Sequence, residues 1–160
     1  MALDQFKLDG KTALVTGASA GLGAAIAVAL AAAGADVVCH GNTRPAGETC
    51  KKVKQLGRRA AAVQADLASA QGATELFEQA QQFARIDIIV NNAGTIRRAP
   101  AIDYSDPDWT SVLQVNLNSV FKLSQLAARS FRFITFRFIT RRPIDNRPQA
   151  AGVPYIDGLL

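Results

Sequence analysis

The chain has 160 residues, enough for one domain with a real core. Its 49% apolar and 19% charged residues exclude intrinsic disorder, and no apolar run is long enough to span a bilayer. The net charge of +5 does not mark a nucleic-acid face, because residues 1–128 hold 12 basic and 11 acidic residues while residues 129–160 hold six Arg and two Asp.

Residues 12–16 (TALVT) form a buried-strand pattern, and residues 21–33 a small-residue helix ending at Gly34. DVVCH, residues 36–40, is a second strand. Residues 46–56 form a polar helix closed by Gly57, and AAAVQ, residues 60–64, a third strand. Residues 72–84 form a helix with Leu76, Ala80 and Phe83 on one face, and IDIIV, residues 86–90, a fourth strand. A long helix is expected from Pro107 to about Arg129, with Asp106 as N-cap and Pro107 at the first helical position. Its stripe of Trp109, Val112, Leu113 and Val120 encloses Asn116, so Asn116 is expected to be buried and hydrogen-bonded. Such alternation means parallel βαβ units with right-handed crossovers. The expected fold class is α/β, a doubly wound Rossmann-type parallel sheet truncated after the fourth βα unit. Residues 1–130 make an incomplete dinucleotide-binding domain, and residues 131–160 an atypical tail.

The first strand runs into TGASAGLG, residues 16–23, where Gly17, Gly21 and Gly23 precede a helix. Glycines permit the tight turn and let backbone N–H groups approach a pyrophosphate, to which the helix N-terminus adds its positive dipole end. The strand before, the helix after and the βαβ spacing favour dinucleotide binding over a plain connecting turn. An acid about 20 residues further on would bond a ribose 2′-OH. That position falls near Gly41, and no carboxylate lies between Asp36 and Glu48. Arg44 there either meets a 2′-phosphate or is a solvated loop residue, so this stretch leaves NAD and NADP both open. The fourth strand ends in NNAG, residues 91–94, at the strand ends where open α/β sheets bind ligands.

Together TGASAGLG, NNAG and VNLNSVF resemble the short-chain dehydrogenase/reductase family over roughly residues 8–130. Within it, FKLDGKTALVTG and NNAGTIRR are similar to the 2-dehydro-3-deoxy-D-gluconate 5-dehydrogenases. The resemblance implies that Gly17, Ser19, Gly21, Leu22 and Gly23 surround the pyrophosphate. It implies that Asp66, followed by Leu67 in QADL, contacts the adenine amino group; a helix-start cap is the plainer reading of Asp66. Asn92, Ala93 and Gly94 would line the cofactor ribose, and the subfamily favours NAD. Arg97 and Arg98 suit the carboxylate of a sugar-acid substrate, though a solvated basic loop is the simpler reading. Asn116 would hold a catalytic water, and a structural Asn bonding a bent helix is compatible with that. The family forms homo-oligomers; nucleic acid and membrane are not expected as partners.

The family's chemistry also needs a Ser on a fifth strand and a Tyr with a Lys four residues later, whose charge depresses the phenol pKa. Tyr104 and Tyr155 are the only tyrosines, followed four residues on by Asp108 and Leu159, and Lys122 is the last lysine. The 160 residues are therefore expected to be inactive by themselves. Non-catalytic nucleotide binding, an interaction role and a non-functional frameshifted fragment are the alternatives. FRFITFRFIT, residues 131–140, repeats one pentapeptide and begins where the resemblance stops. It is expected either to follow an altered reading frame or to supply a substitute edge strand at about residues 132–139. His40, the sole histidine, lacks metal-ligand partners and reads as a strand-end residue; Cys39 reads as core. No metal site is expected. The two cysteines and an N-terminus without an apolar signal segment point to the reducing cytoplasm.

Overall fold

The computed structural model describes residues 4–131. The substitute strand expected at about 132–139 lies outside the described residues. Four parallel strands form one sheet in the order β3-β2-β1-β4: β1 Thr12–Val15, β2 Asp36–Gly41, β3 Ala60–Gln64 and β4 Ile88–Val90. Val15 pairs with Cys39 on one side and with Val90 on the other, so the strand order reverses at β1. This is the expected Rossmann-type α/β architecture.

Strand side chains alternate between faces, and each face has its own helix layer. Leu14, Val38 and Val63 pack with Leu76, Phe77 and Ala80 of α3 (Gly72–Phe83) and with Leu123 and Ala127 of α5 (Ser119–Ser130). Val15, Val37 and Cys39 pack instead with Ala27 and Ala31 of α1 (Gly21–Ala32) and with Cys50 and Val53 of α2 (Gly47–Gln55). Alanine on α1 keeps that helix close to the sheet. Glycine ends both helices of this layer in left-handed backbone, Gly34 at φ 108° and Gly57 at φ 74°. The amides of Gly57 and Arg58 close the end of α2 onto the carbonyls of Lys54 and Val53.

The last helical stretch departs from expectation in three ways. Ser105, not Asp106, is the N-cap of α4 (Asp106–Leu113); its Oγ accepts from the Asp108 N–H at 3.2 Å. The helix is not continuous: Gln114–Asn118 form a wider π turn before α5. Asn116 is also exposed rather than buried; of its stripe Trp109 is 57% exposed, while Val112, Leu113 and Val120 are half-buried. Periodicity reports which side chains share a face, not whether anything covers that face.

Candidate functional site

The chain leaves the carboxyl ends of all four strands on one edge of the sheet, and the motif residues converge there. Thr16, just past β1, is buried, and its hydroxyl joins two motifs. It donates to the Val90 carbonyl at 3.2 Å and accepts from the N–H groups of Asn92 and Ala93, both at 2.9 Å. Asn92 answers through Nδ2, which donates to the carbonyls of Thr16 at 2.9 Å and Gly17 at 3.3 Å. TGASAGLG and NNAG therefore brace each other.

Two glycines are required by this geometry. Gly17 has φ 65°, and a Cβ there would lie 3.0 Å from the Ala93 Cα. A Cβ on Gly23 would stand 2.3 Å from the Gly17 carbonyl oxygen. Gly21 also adopts positive φ, 57°, at the start of α1. Leu22 is exposed beside it.

A cleft of about 310 Å³ opens over these loops. Its walls include Gly17, Ser19, Arg44, Asp66, Leu67, Ala93 and Gly94. Asp66 accepts from Asn42 Nδ2 at 3.1 Å and from the Ala68 N–H at 3.0 Å, both on Oδ1. It thus caps the turn before α3 while facing the cleft. Arg44 and Thr43 follow Asn42 on the same wall.

Asn116, on the π turn, does not line the cleft itself but bonds Thr95, which does. Its Oδ1 accepts from the Thr95 N–H at 2.8 Å and its Nδ2 donates to the Thr95 carbonyl at 2.9 Å. The side-chain amide imitates a strand partner for the segment after NNAG, rather than bonding its own helix. Arg97 and Arg98 part company: Arg97 lines the cleft 3.5 Å from Asp108, whereas Arg98 is exposed outside the lining.

Sequence reasoning assigned no role to Thr16, His40 or Thr49. Each is a buried polar residue: Thr16 opens the TGASAGLG loop and ties it to NNAG, while His40 and Thr49 bond to the loop from outside it. Thr49 Oγ1 donates to the Ala18 carbonyl at 2.7 Å, and His40 Nδ1 accepts from the Gly17 N–H at 3.2 Å. The available signal was polar residues within or beside otherwise apolar elements, whose burial demands partners.

The site has the features that a dinucleotide requires. The first turn of α1 holds no acid, and Ala20 at its N-cap makes no side-chain cap bond, so its N–H groups are open to an anion. Gly17 and Gly23 let the loop close onto NNAG and the start of α1, and Arg44 adds a cation on the cleft wall. A profile of the short chain dehydrogenase family matches residues 11–134. The chain belongs to the short-chain dehydrogenase family.

This member of the short-chain dehydrogenase family is 46% identical over 132 residues to the 2-dehydro-3-deoxy-D-gluconate 5-dehydrogenase of Dickeya dadantii, covering 82% of this chain and 52% of that protein. It is 48% identical over 130 residues to the Bacillus subtilis enzyme of the same name, covering 79% and 50%. A short chain dehydrogenase from Burkholderia cenocepacia, solved in complex with NADP, superposes with a TM-score of 0.74 at 42% identity, covering 78% and 52%. The chain spans about half the length of the curated relatives it matches.

Proposed function

We propose that these residues form the cofactor-binding part of an NAD(P)-dependent oxidoreductase acting on a sugar acid of the 2-dehydro-3-deoxy-D-gluconate type. The observation that carries the reading is the braced pair of loops beneath the uncapped start of α1, with Thr16 and Asn92 at the junction. In this reading Gly17, Ser19, Gly21, Leu22 and Gly23 surround the pyrophosphate. Asp66 and Leu67 border the adenine, and Asn92, Ala93 and Gly94 border a ribose. The names of the relatives support the substrate class. Arg97 is the guanidinium suited to a substrate carboxylate, because it lines the cleft and Arg98 does not.

Either nicotinamide dinucleotide fits the pyrophosphate end. Arg44 on the cleft wall supports the 2′-phosphorylated form, and the loop that follows β2 supplies no carboxylate of its own between Asp36 and Glu48 for a free 2′-OH. When bound, the cofactor supplies the hydride-transfer chemistry. The 160 residues contain no Tyr with a Lys four positions later. Such acid–base groups typically contribute about 10²–10⁴-fold, so this polypeptide binds cofactor without turning substrate over.

Calorimetric titration of the 160-residue chain with NADP⁺ and NAD⁺ tests the reading. Saturable binding, tighter for NADP⁺, is expected, with no NADPH formed when 2-deoxygluconate is added. Folded protein that binds neither dinucleotide contradicts the site assignment. Sustained, host-enzyme-free reduction of NADP⁺ contradicts the assignment of a binding-only polypeptide.

A further inference from the structure

His40 is the chain's single histidine and is 2% exposed at the end of β2. Its ring touches two different loops of the cleft. Nδ1 lies 3.2 Å from the Gly17 N–H, and Nε2 lies 3.0 Å from the Ala65 carbonyl, one residue before Asp66. The amide can only donate and the carbonyl can only accept, so the tautomer is fixed: Nδ1 bare, Nε2 protonated. The His40 carbonyl also accepts from the Ala18 N–H at 2.7 Å. One residue thus holds two consecutive amides of the phosphate loop and ties that loop to the adenine side of the cleft.

The placement matters because Gly17 sits in left-handed backbone, where nothing intrinsic selects one conformation for a glycine. A loop ordered before the ligand arrives does not have to be ordered by it. We infer that His40 is a positioning residue for cofactor binding, a neutral clamp whose Nδ1 lone pair presets the pyrophosphate loop through the Gly17 N–H. The inference rests on the dinucleotide reading of the cleft.

The clamp works in one protonation state. A proton on Nδ1 would face the Gly17 N–H with a second donor. Burial holds the His40 pKa below its ordinary value, the bond to Ala65 opposing it, so the clamp is intact at neutral pH and opens as pH falls. Asp66 beyond β3, Arg44 beyond β2 and Arg97 beyond β4 are the charged groups lining the same cleft. Cys39 precedes it on the strand, and Cys50 packs from α2. Residues 16–20 and 91–95 carry no titratable side chain.

Two substitutions separate the ring's two bonds. In His40→Asn the amide oxygen stands near the Nδ1 position and can still accept from Gly17. In His40→Gln the amide nitrogen stands near Nε2 and can still donate to Ala65, while the Gly17 N–H loses its partner. The probes are NADP⁺ and 2′-AMP, which carries the adenosine end without the pyrophosphate. His40→Gln is expected to weaken NADP⁺ about tenfold or more while leaving 2′-AMP within about twofold. His40→Asn is expected to restore NADP⁺ to within about threefold of the parent. As pH falls progressively below the ordinary imidazole value of 6.5, the parent should lose NADP⁺ affinity relative to His40→Asn, a comparison in which titration of the ligand's own phosphates cancels. Thermal midpoints of both variants, recorded alongside, confirm the folded state. Equal weakening of both ligands by His40→Gln overturns the inference, as does unchanged or tighter NADP⁺ binding. If the parent binds no NADP⁺ at all, the dinucleotide reading fails first and this inference falls with it.

Discussion

Thr16 shows how little side chain is needed to build a junction: one buried hydroxyl donates one bond and accepts two. Its partners belong to a motif more than seventy residues away in sequence. In the proposed reading, cofactor choice turns on Arg44, which lines the cleft. A charged bond to phosphate contributes about 1.5–3 kcal/mol, which converts to about 10–100-fold in affinity. Arg44→Ala is therefore expected to weaken NADP⁺ binding by about 10–100-fold and to leave NAD⁺ within about threefold. Parallel calorimetric titrations of the two dinucleotides check this. Equal loss for both would mean that Arg44 contacts no 2′-phosphate. The glycine motifs, Asp66 and NNAG were legible in the sequence because each sits at a predicted strand end. Thr16 and His40 were not, because their meaning lies in partners brought together only by parallel pairing of β1 with β2 and β4.

At the next level the strands and first three helices were legible to within a few residues, since apolar runs punctuated by Gly34 and Gly57 leave few alternatives. The final helix was not. Composition gave no sign of the π turn at Gln114–Asn118, which accompanies the bonding of Asn116 to Thr95. A second detail is electrostatic. Asp36 opens β2 and accepts from the Arg59 N–H at 2.9 Å and Arg59 Nε at 2.7 Å, with Arg58 Nε 3.6 Å away. Burial alone would raise its pKa, but the Arg59 bonds and both guanidiniums together hold it below the usual carboxylate value. Asp36→Asn keeps the shape and removes the charge. It is expected to cost about 1–2 kcal/mol at pH 7, a modest figure because Arg59 is largely exposed. A carboxyl with a lowered folded pKa stabilises above its unfolded pKa and loses that contribution as pH falls through the folded value. The gap between parent and variant in urea unfolding should therefore narrow below about pH 4. A gap that persists unchanged to pH 2 would show that charge is not what Asp36 contributes.

Among the described residues, the proposed cofactor site lies along one edge of the sheet. The two helix layers and their apolar clusters fix the sheet, while residues from four loops meet beyond the strand ends. That division predicts where a bound dinucleotide leaves its mark. Amide hydrogen exchange with and without saturating NADP⁺ reads every loop in one experiment. Slowed exchange is expected at residues 17–23, 42–44 and 92–95, with little change in the sheet-facing turns of α3 and α5. Saturable binding that leaves all three of those segments unprotected, with slowing elsewhere, would contradict a dinucleotide site built on the braced TGASAGLG and NNAG loops.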